Sequence, residues 1–164
     1  MATAVLNEKL EVFKKSIDDI TTVLKKTDEA ALYVKPSETE WSAMQIVSHV
    51  LEAVDFWVDD LEALLVVPGA KWGRNHEHVR RLAAVDENVV FRIKKEDAIT
   101  ALQNLVPKVE KALVKVEEED LVKTAPSYNP NFDGKPLSFL VDHLIVKHVT
   151  GHYGQLVRHL EKVQ

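Results

Sequence analysis

Leu6, Leu10, Phe13, Ile17, Ile20 and Leu24 fall at alternating spacings of four and three, the repeat that keeps an apolar stripe on one side of a helix. The stripe stops near Thr27 and Asp28, and Pro36 bars a simple continuation. A second start stands at Ser42, with Gln45 three residues on and able to reach back in a capping box. Ile46, Val50, Ala53, Trp57, Leu61 and Leu64 then line one face, until Pro68 and Gly69 end the helix. Ala98, Leu102, Leu105, Val109, Ala112 and Val116 form a third stripe, with Pro107 off the seam and expected to kink it. The fourth runs from about Leu137 to Lys162 along Val141, Ile145, His148, His152, Gln155 and His159.

Four amphipathic helices joined by two longer connections predict an all-α four-helix bundle occupying residues 1–164 as one domain. The stretch from Lys71 to Lys94 has no sustained stripe. It reads as a long connection with a short helix near Glu77 to Ala84, and connections of that length are often functional. Asp120 to Lys135 is a polar loop with Pro126 and Pro130 as turn signals.

Composition narrows the function classes. A formal charge of -5 argues against nucleic acid as a partner, although Arg80 and Arg81 make a local basic pair. The chain has no cysteine, which excludes disulfides, thiolate zinc knots and a protein thiol nucleophile. Charged residues such as Lys9, Glu11, Lys14 and Asp18 interrupt any leader-like apolar run, and no stretch of ~18 apolar residues occurs. A cytoplasmic protein that does not enter membranes is the expectation.

The fourth stripe is the anomaly, because half of it is polar. Burying a polar side chain without a partner costs roughly 2–7 kcal/mol, so a seam holding His148, His152, Gln155 and His159 calls for a shared ligand. Residues four apart on a helix are stacked neighbours, about 5–6 Å between Cβ atoms, so His148 and His152 can converge on one ion. His49, beside the buried face of the second helix, supplies a third imidazole. Three neutral imidazoles suit zinc or nickel and leave a coordination position open for a substrate. His159 shares the same face two turns on, where a core hydrogen bond is expected instead. His76 and His78 read as solvated, and His143 as a surface residue. Trp57, Trp72 and Tyr128 are read as packing residues that could also line a pocket mouth.

The run from Trp41-Ser42 to His49, followed by His148, three residues, His152, Tyr153, Gly154 and Gln155, resembles the DinB/YfiT-like superfamily over nearly the whole chain. The resemblance implies a four-helix bundle, a metal triad mapping onto His49, His148 and His152, and a homodimer. Several members of that superfamily are thiol-dependent S-transferases or isomerases using glutathione-like, bacillithiol or mycothiol cofactors, and others are regarded as metal-dependent hydrolases. Tyr153 departs from relatives that often carry a further His or Arg there. Mycothiol-dependent isomerases resemble this chain only over the bundle.

Three readings follow. A low-molecular-weight thiol, activated at the metal, attacks an electrophilic small molecule, which suits a chain with no cysteine of its own. Alternatively the metal activates water for hydrolysis, with Glu52 or Asp55 as the candidate base. A third reading is a non-catalytic metal-binding bundle. A ferritin-like di-iron site is excluded because it needs Glu three residues before its His, and Ile46, Ile145 and Val149 stand there. Neither a nucleophilic-serine elbow nor a phosphate loop is present.

Overall fold

The computed structural model describes residues 3–163. Its four long helices are Ala4–Lys26, Ala43–Val66, Lys95–Leu113 and a final helical run over 137–163. The first and second each pack against both the third and the fourth. Every apolar residue of the first three stripes is buried, including Val116 just past the end of the third helix. Folding of this bundle therefore follows from periodicity: each helix has one wide apolar face, and closing four such faces on one another removes them from water.

Local signals set the helix ends. Thr3 caps the first helix by accepting from the Leu6 N–H, and Ser42 and Gln45 form the reciprocal capping box that opens the second. The third helix persists through Pro107, which is exposed, so the backbone carbonyl deprived of its partner faces solvent.

The fourth run departs from the expected regular helix. It begins as α-helix over Leu137–Phe139, widens into a π-helical stretch over Leu140–Lys147, and returns to α-helix over His148–Val163. The wider turn shifts the buried line to Val141, Ile145, Val149, Leu156 and Leu160. His148, His152 and Gln155 consequently sit at the edge of the core, partly exposed, while His159 is buried. Such widened turns recur at functional sites because they re-aim side chains without breaking the helix.

The connection after the second helix is ordered by the loop before the fourth. Trp72 accepts from the Tyr128 N–H at 2.8 Å and donates to the Pro126 carbonyl at 3.1 Å, forming an isolated parallel bridge with Ser127. Trp72 stacks on Phe132 and meets Trp57 edge-on. Beyond this clamp lie the short helices Val79–Ala84 and Glu87–Val90. The first overlaps the helix expected over 77–84, and the second had no periodic signal to announce it.

Gly73 is what lets the clamp close. Its φ is +85°, and a Cβ there would stand 2.7 Å from Ser127 Oγ, whose hydroxyl donates to the Trp72 carbonyl. Gly69 has the same φ with nothing within 4 Å of a Cβ. Gly69→Ala is expected to cost only the left-handed backbone strain, about 1–2 kcal/mol. Gly73→Ala adds a steric clash to that strain and should lower the urea midpoint measurably further than Gly69→Ala does.

Candidate metal centre

Three imidazoles meet where the second helix faces the fourth. His49 Nε2 lies 3.2 Å from His148 Nε2, and His152 Nε2 lies 2.8 Å from the same atom. The three side chains form a group able to hold a metal ion. His49 is fully packed at 4% exposure, with Trp41 tilted against its ring; His148 and His152 are open on one side.

Hydrogen bonding alone does not satisfy this arrangement. An imidazole nitrogen has one in-plane bonding direction and carries either one proton or one lone pair. His148 Nε2 faces two other nitrogens, so at most one of those contacts is a hydrogen bond, and the other sets like against like. A cation accepting all three lone pairs removes the conflict. Tetrahedral zinc with Zn–N bonds of about 2.0–2.1 Å places its donors roughly 3.3 Å apart, against 3.2 and 2.8 Å for the two contacts of His148 Nε2.

The protonation states agree. Burial, reinforced by His148 and His152, pushes His49 down to about 2. Burial, and then the neighbouring His152, pushes His148 down to about 3. His152 is lowered as well, by burial, with its Gln155 hydrogen bond acting the other way. All three are therefore neutral near pH 7. Gln155 Oε1 lies 2.7 Å from His152 Nδ1, so that nitrogen carries the proton and Nε2 is left free as a donor to metal. The Nδ1 atoms of His49 and His148 are buried without a hydrogen-bond partner.

A cavity of about 280 Å³ opens on the triad, lined also by Trp57, Arg74, His76, Arg81, Phe132 and Leu144. None of its lining residues is acidic. A second, shallower cavity of about 530 Å³ reaches His152 and Gln155 from the other side, past Trp41, Glu40 and Arg158.

Arg74 is 4% exposed and makes two hydrogen bonds, of 2.8 and 2.6 Å, to the Glu52 carboxylate. Its guanidinium lies over Phe56, and its carbonyl accepts from Asn129. Arg81 donates to the His76 carbonyl at 3.1 Å and lies over Trp41. Burial, and then the charge of Arg74, lowers its pKa, with the charge of Glu52 acting the other way.

The structure sorts the remaining sequence candidates. His159 Nε2 accepts from the Ala43 N–H at the start of the second helix, the core hydrogen bond expected of it. His143 is exposed against Phe139. His78 caps its short helix by accepting from Arg80 N–H, whereas His76, though exposed, lines the triad's cavity and so is more than a solvated residue. Trp57 both packs and lines that cavity, while Tyr128 stays exposed under Lys71. Neither proposed base is free: Glu52 is held by Arg74 and Arg80, and Asp55 by Lys108 and Arg80. Arg74 was missed, and Arg81 was noticed only as half of a basic pair, because both lie in a connection without periodicity.

The family model described as DinB superfamily matches residues 13–156. No curated protein matches. Among solved structures, a mycothiol-dependent maleylpyruvate isomerase, crystallised as a histidine-to-alanine mutant, superimposes with a TM-score of 0.68 at 13% identity. The match covers 92% of this chain and 60% of that one, so the shared part is the bundle fold.

The depressed histidines fix a pH dependence. Unfolded histidine takes up its proton near pH 6.5, whereas folded His49 and His148 do so only near 2 and 3. Below about pH 6.5 the unfolded chain binds more protons, so acidification favours unfolding throughout that window and stability returns as pH rises. The metal-free protein should show a falling urea midpoint from pH 7 to pH 4, with a shallower slope in His148→Asn. Equal slopes would mean that His148 is protonated alike in both states.

Proposed function

The chain belongs to the DinB superfamily, and we propose that it is a metal-dependent transferase that joins a low-molecular-weight thiol to an electrophilic small molecule at His49, His148 and His152. The observation that carries this reading is the contact of His148 Nε2 with two other imidazole nitrogens, which a divalent ion resolves and a proton does not. Zinc or nickel is the ion suited to three neutral imidazoles. When bound, it supplies a Lewis-acid position that favours the thiolate over the thiol.

The residues around the triad support thiol chemistry over hydrolysis. Arg74 is neutralised by Glu52, and Arg81 lends the cavity a positive charge that favours a bound thiolate and a developing negative charge on the electrophile. Hydrolysis wants a base positioned to take a proton from water, and no carboxylate lines the cavity. Glu52, one turn from His49, instead holds Arg74 in place. Trp57, Phe132 and Leu144 give an apolar wall that keeps water from competing with the thiol. The solved structure of like fold is of a mycothiol-dependent isomerase, which is consistent with a small thiol as co-substrate here.

Protein purified without an affinity tag should contain about one equivalent of zinc or nickel by mass spectrometry, lost in His49→Ala and His148→Ala. Gln155→Leu should retain the site with metal affinity lower by roughly 10–100-fold, because it frees the tautomer of His152. The loaded protein should accelerate consumption of glutathione, bacillithiol or mycothiol with monochlorobimane or chlorodinitrobenzene. Ester cleavage without thiol would favour the hydrolase instead, and wild-type protein that takes up no metal on reconstitution would remove the enzyme reading altogether.

A further inference from the structure

Arg81 is a cation with no carboxylate in ion-pair contact among the described residues. Its guanidinium carries five N–H groups, of which one is directed at the His76 carbonyl; it lies over the face of Trp41, and Glu52 acts on it only from beyond ion-pair distance. The nearby acids are taken: Glu52 by Arg74 and Arg80, Asp55 by Arg80 and Lys108. Among the described residues no carboxylate lies within ion-pair distance of it. The contrast with Arg74 is informative, since that guanidinium has both edges of a carboxylate and two aromatic faces to hold it, as a structural arginine should.

The position of Arg81 matters as much as its lack of a partner. It lies on the wall of the 280 Å³ cavity that all three imidazoles line together with the apolar surfaces of Trp57, Phe132 and Leu144. Arg81 is half-buried, a partly desolvated charge is stabilised by an opposite charge that meets it, and the cavity has no acid of its own to do so. A ligand carrying an anionic group would supply the missing partner, and a planar guanidinium edge fits a carboxylate by two parallel hydrogen bonds. The cavity is small, at the lower end of ligand pockets, so its occupant is a compact acid and not a peptide-sized molecule.

We propose that Arg81 binds the carboxylate of the small-molecule substrate and so orients that substrate against the metal centre, making the electrophile a compact carboxylic acid. The assignment deepens the transferase reading and rests on it, because it takes the triad as the place of reaction. A carboxylate belonging to the thiol would present the same chemistry to Arg81, and the choice of probes separates the two sources.

The experiment is calorimetric titration of zinc-loaded and metal-free protein with succinate, dimethyl succinate and S-methylglutathione, for wild type, Arg81→Gln and Arg81→Lys. Glutamine keeps a donor for the His76 carbonyl and lysine keeps the charge, and circular dichroism confirms that both fold. Succinate should bind wild type, at least tenfold more weakly to Arg81→Gln, and with intermediate affinity to Arg81→Lys, which keeps the charge but loses the two-pronged edge, while the diester binds none of them. Arg81-dependent binding of S-methylglutathione but not succinate would overturn the assignment to the electrophile and place the carboxylate on the thiol. Equal succinate affinity in wild type and Arg81→Gln, or no binding of either acid to zinc-loaded wild type, would overturn the proposal. Arg81-dependent succinate binding in a protein that takes up no zinc would support the role of Arg81 and remove the metal reading alone.

Discussion

Around His148 Nε2 the packing of the bundle and the chemistry of its histidines come into conflict. One nitrogen with one bonding direction is approached by two others, at 3.2 and 2.8 Å, and the backbone allows no simple escape. His148 and His152 are locked one turn apart on the same helix, and His49 is fixed in the most thoroughly buried part of the second helix, where every residue from Ser42 to Val50 is buried. A chain evolving only for stability would replace one of these imidazoles with an apolar side chain of similar size, since buried polar groups without partners cost more than they return. The orphaned Nδ1 atoms of His49 and His148 sharpen the point, because they add to that cost.

Much of this was legible in the sequence because helices are local objects. The i, i+4 relation of His148 and His152 is a property of any helix, and the capping box at Ser42 placed His49 well inside its own helix. What spacing could not supply was register beyond the π-helical stretch. Leu140–Lys147 holds a pattern that an ordinary helix would also produce, so the displacement of the core line from His148 to Val149 left no trace in the periodicity. That displacement leaves the triad at the edge of the core, beside a cavity, instead of sealed inside it.

The long connection over 71–94 was legible only as an oddity. Its conformation depends on non-local pairing with residues 124–136: the Trp72 bridge, Gly73 against Ser127, and Asn129 on the Arg74 carbonyl. None of these contacts has a period, and each needs the tertiary fold before it exists. Yet this segment supplies the charged part of the cavity. The bundle helices contribute the three imidazoles, Trp57 and Leu144, the loop before the fourth helix contributes Phe132, and the connection contributes Arg74, His76 and Arg81. This division separates what must be rigid from what can vary, as loops carried on helical scaffolds commonly do.

The distribution of charge follows from the same division. On the second helix Glu52, Asp55 and Asp59 all face cations, from the connection or from Lys108 on the third helix. The pairings of Glu52 and Asp55 with Arg74 and Arg80 hold the connection down, and no carboxylate lines the cavity, so Arg81 is the unpaired charge on the wall of a recess in an acidic protein. Field lines in such a recess are focused by its low-dielectric walls, so the local potential opposes the net charge of -5. An anionic reactant would be repelled by the chain as a whole at long range and drawn in only near the mouth. The repulsion is screened beyond about 10 Å at 0.1 M salt, whereas the attraction inside the recess persists. The pairings of Glu52 and Asp55 that stabilise the connection therefore also keep those carboxylates off the cavity wall, so one set of residues shapes both the fold and the charge of the recess.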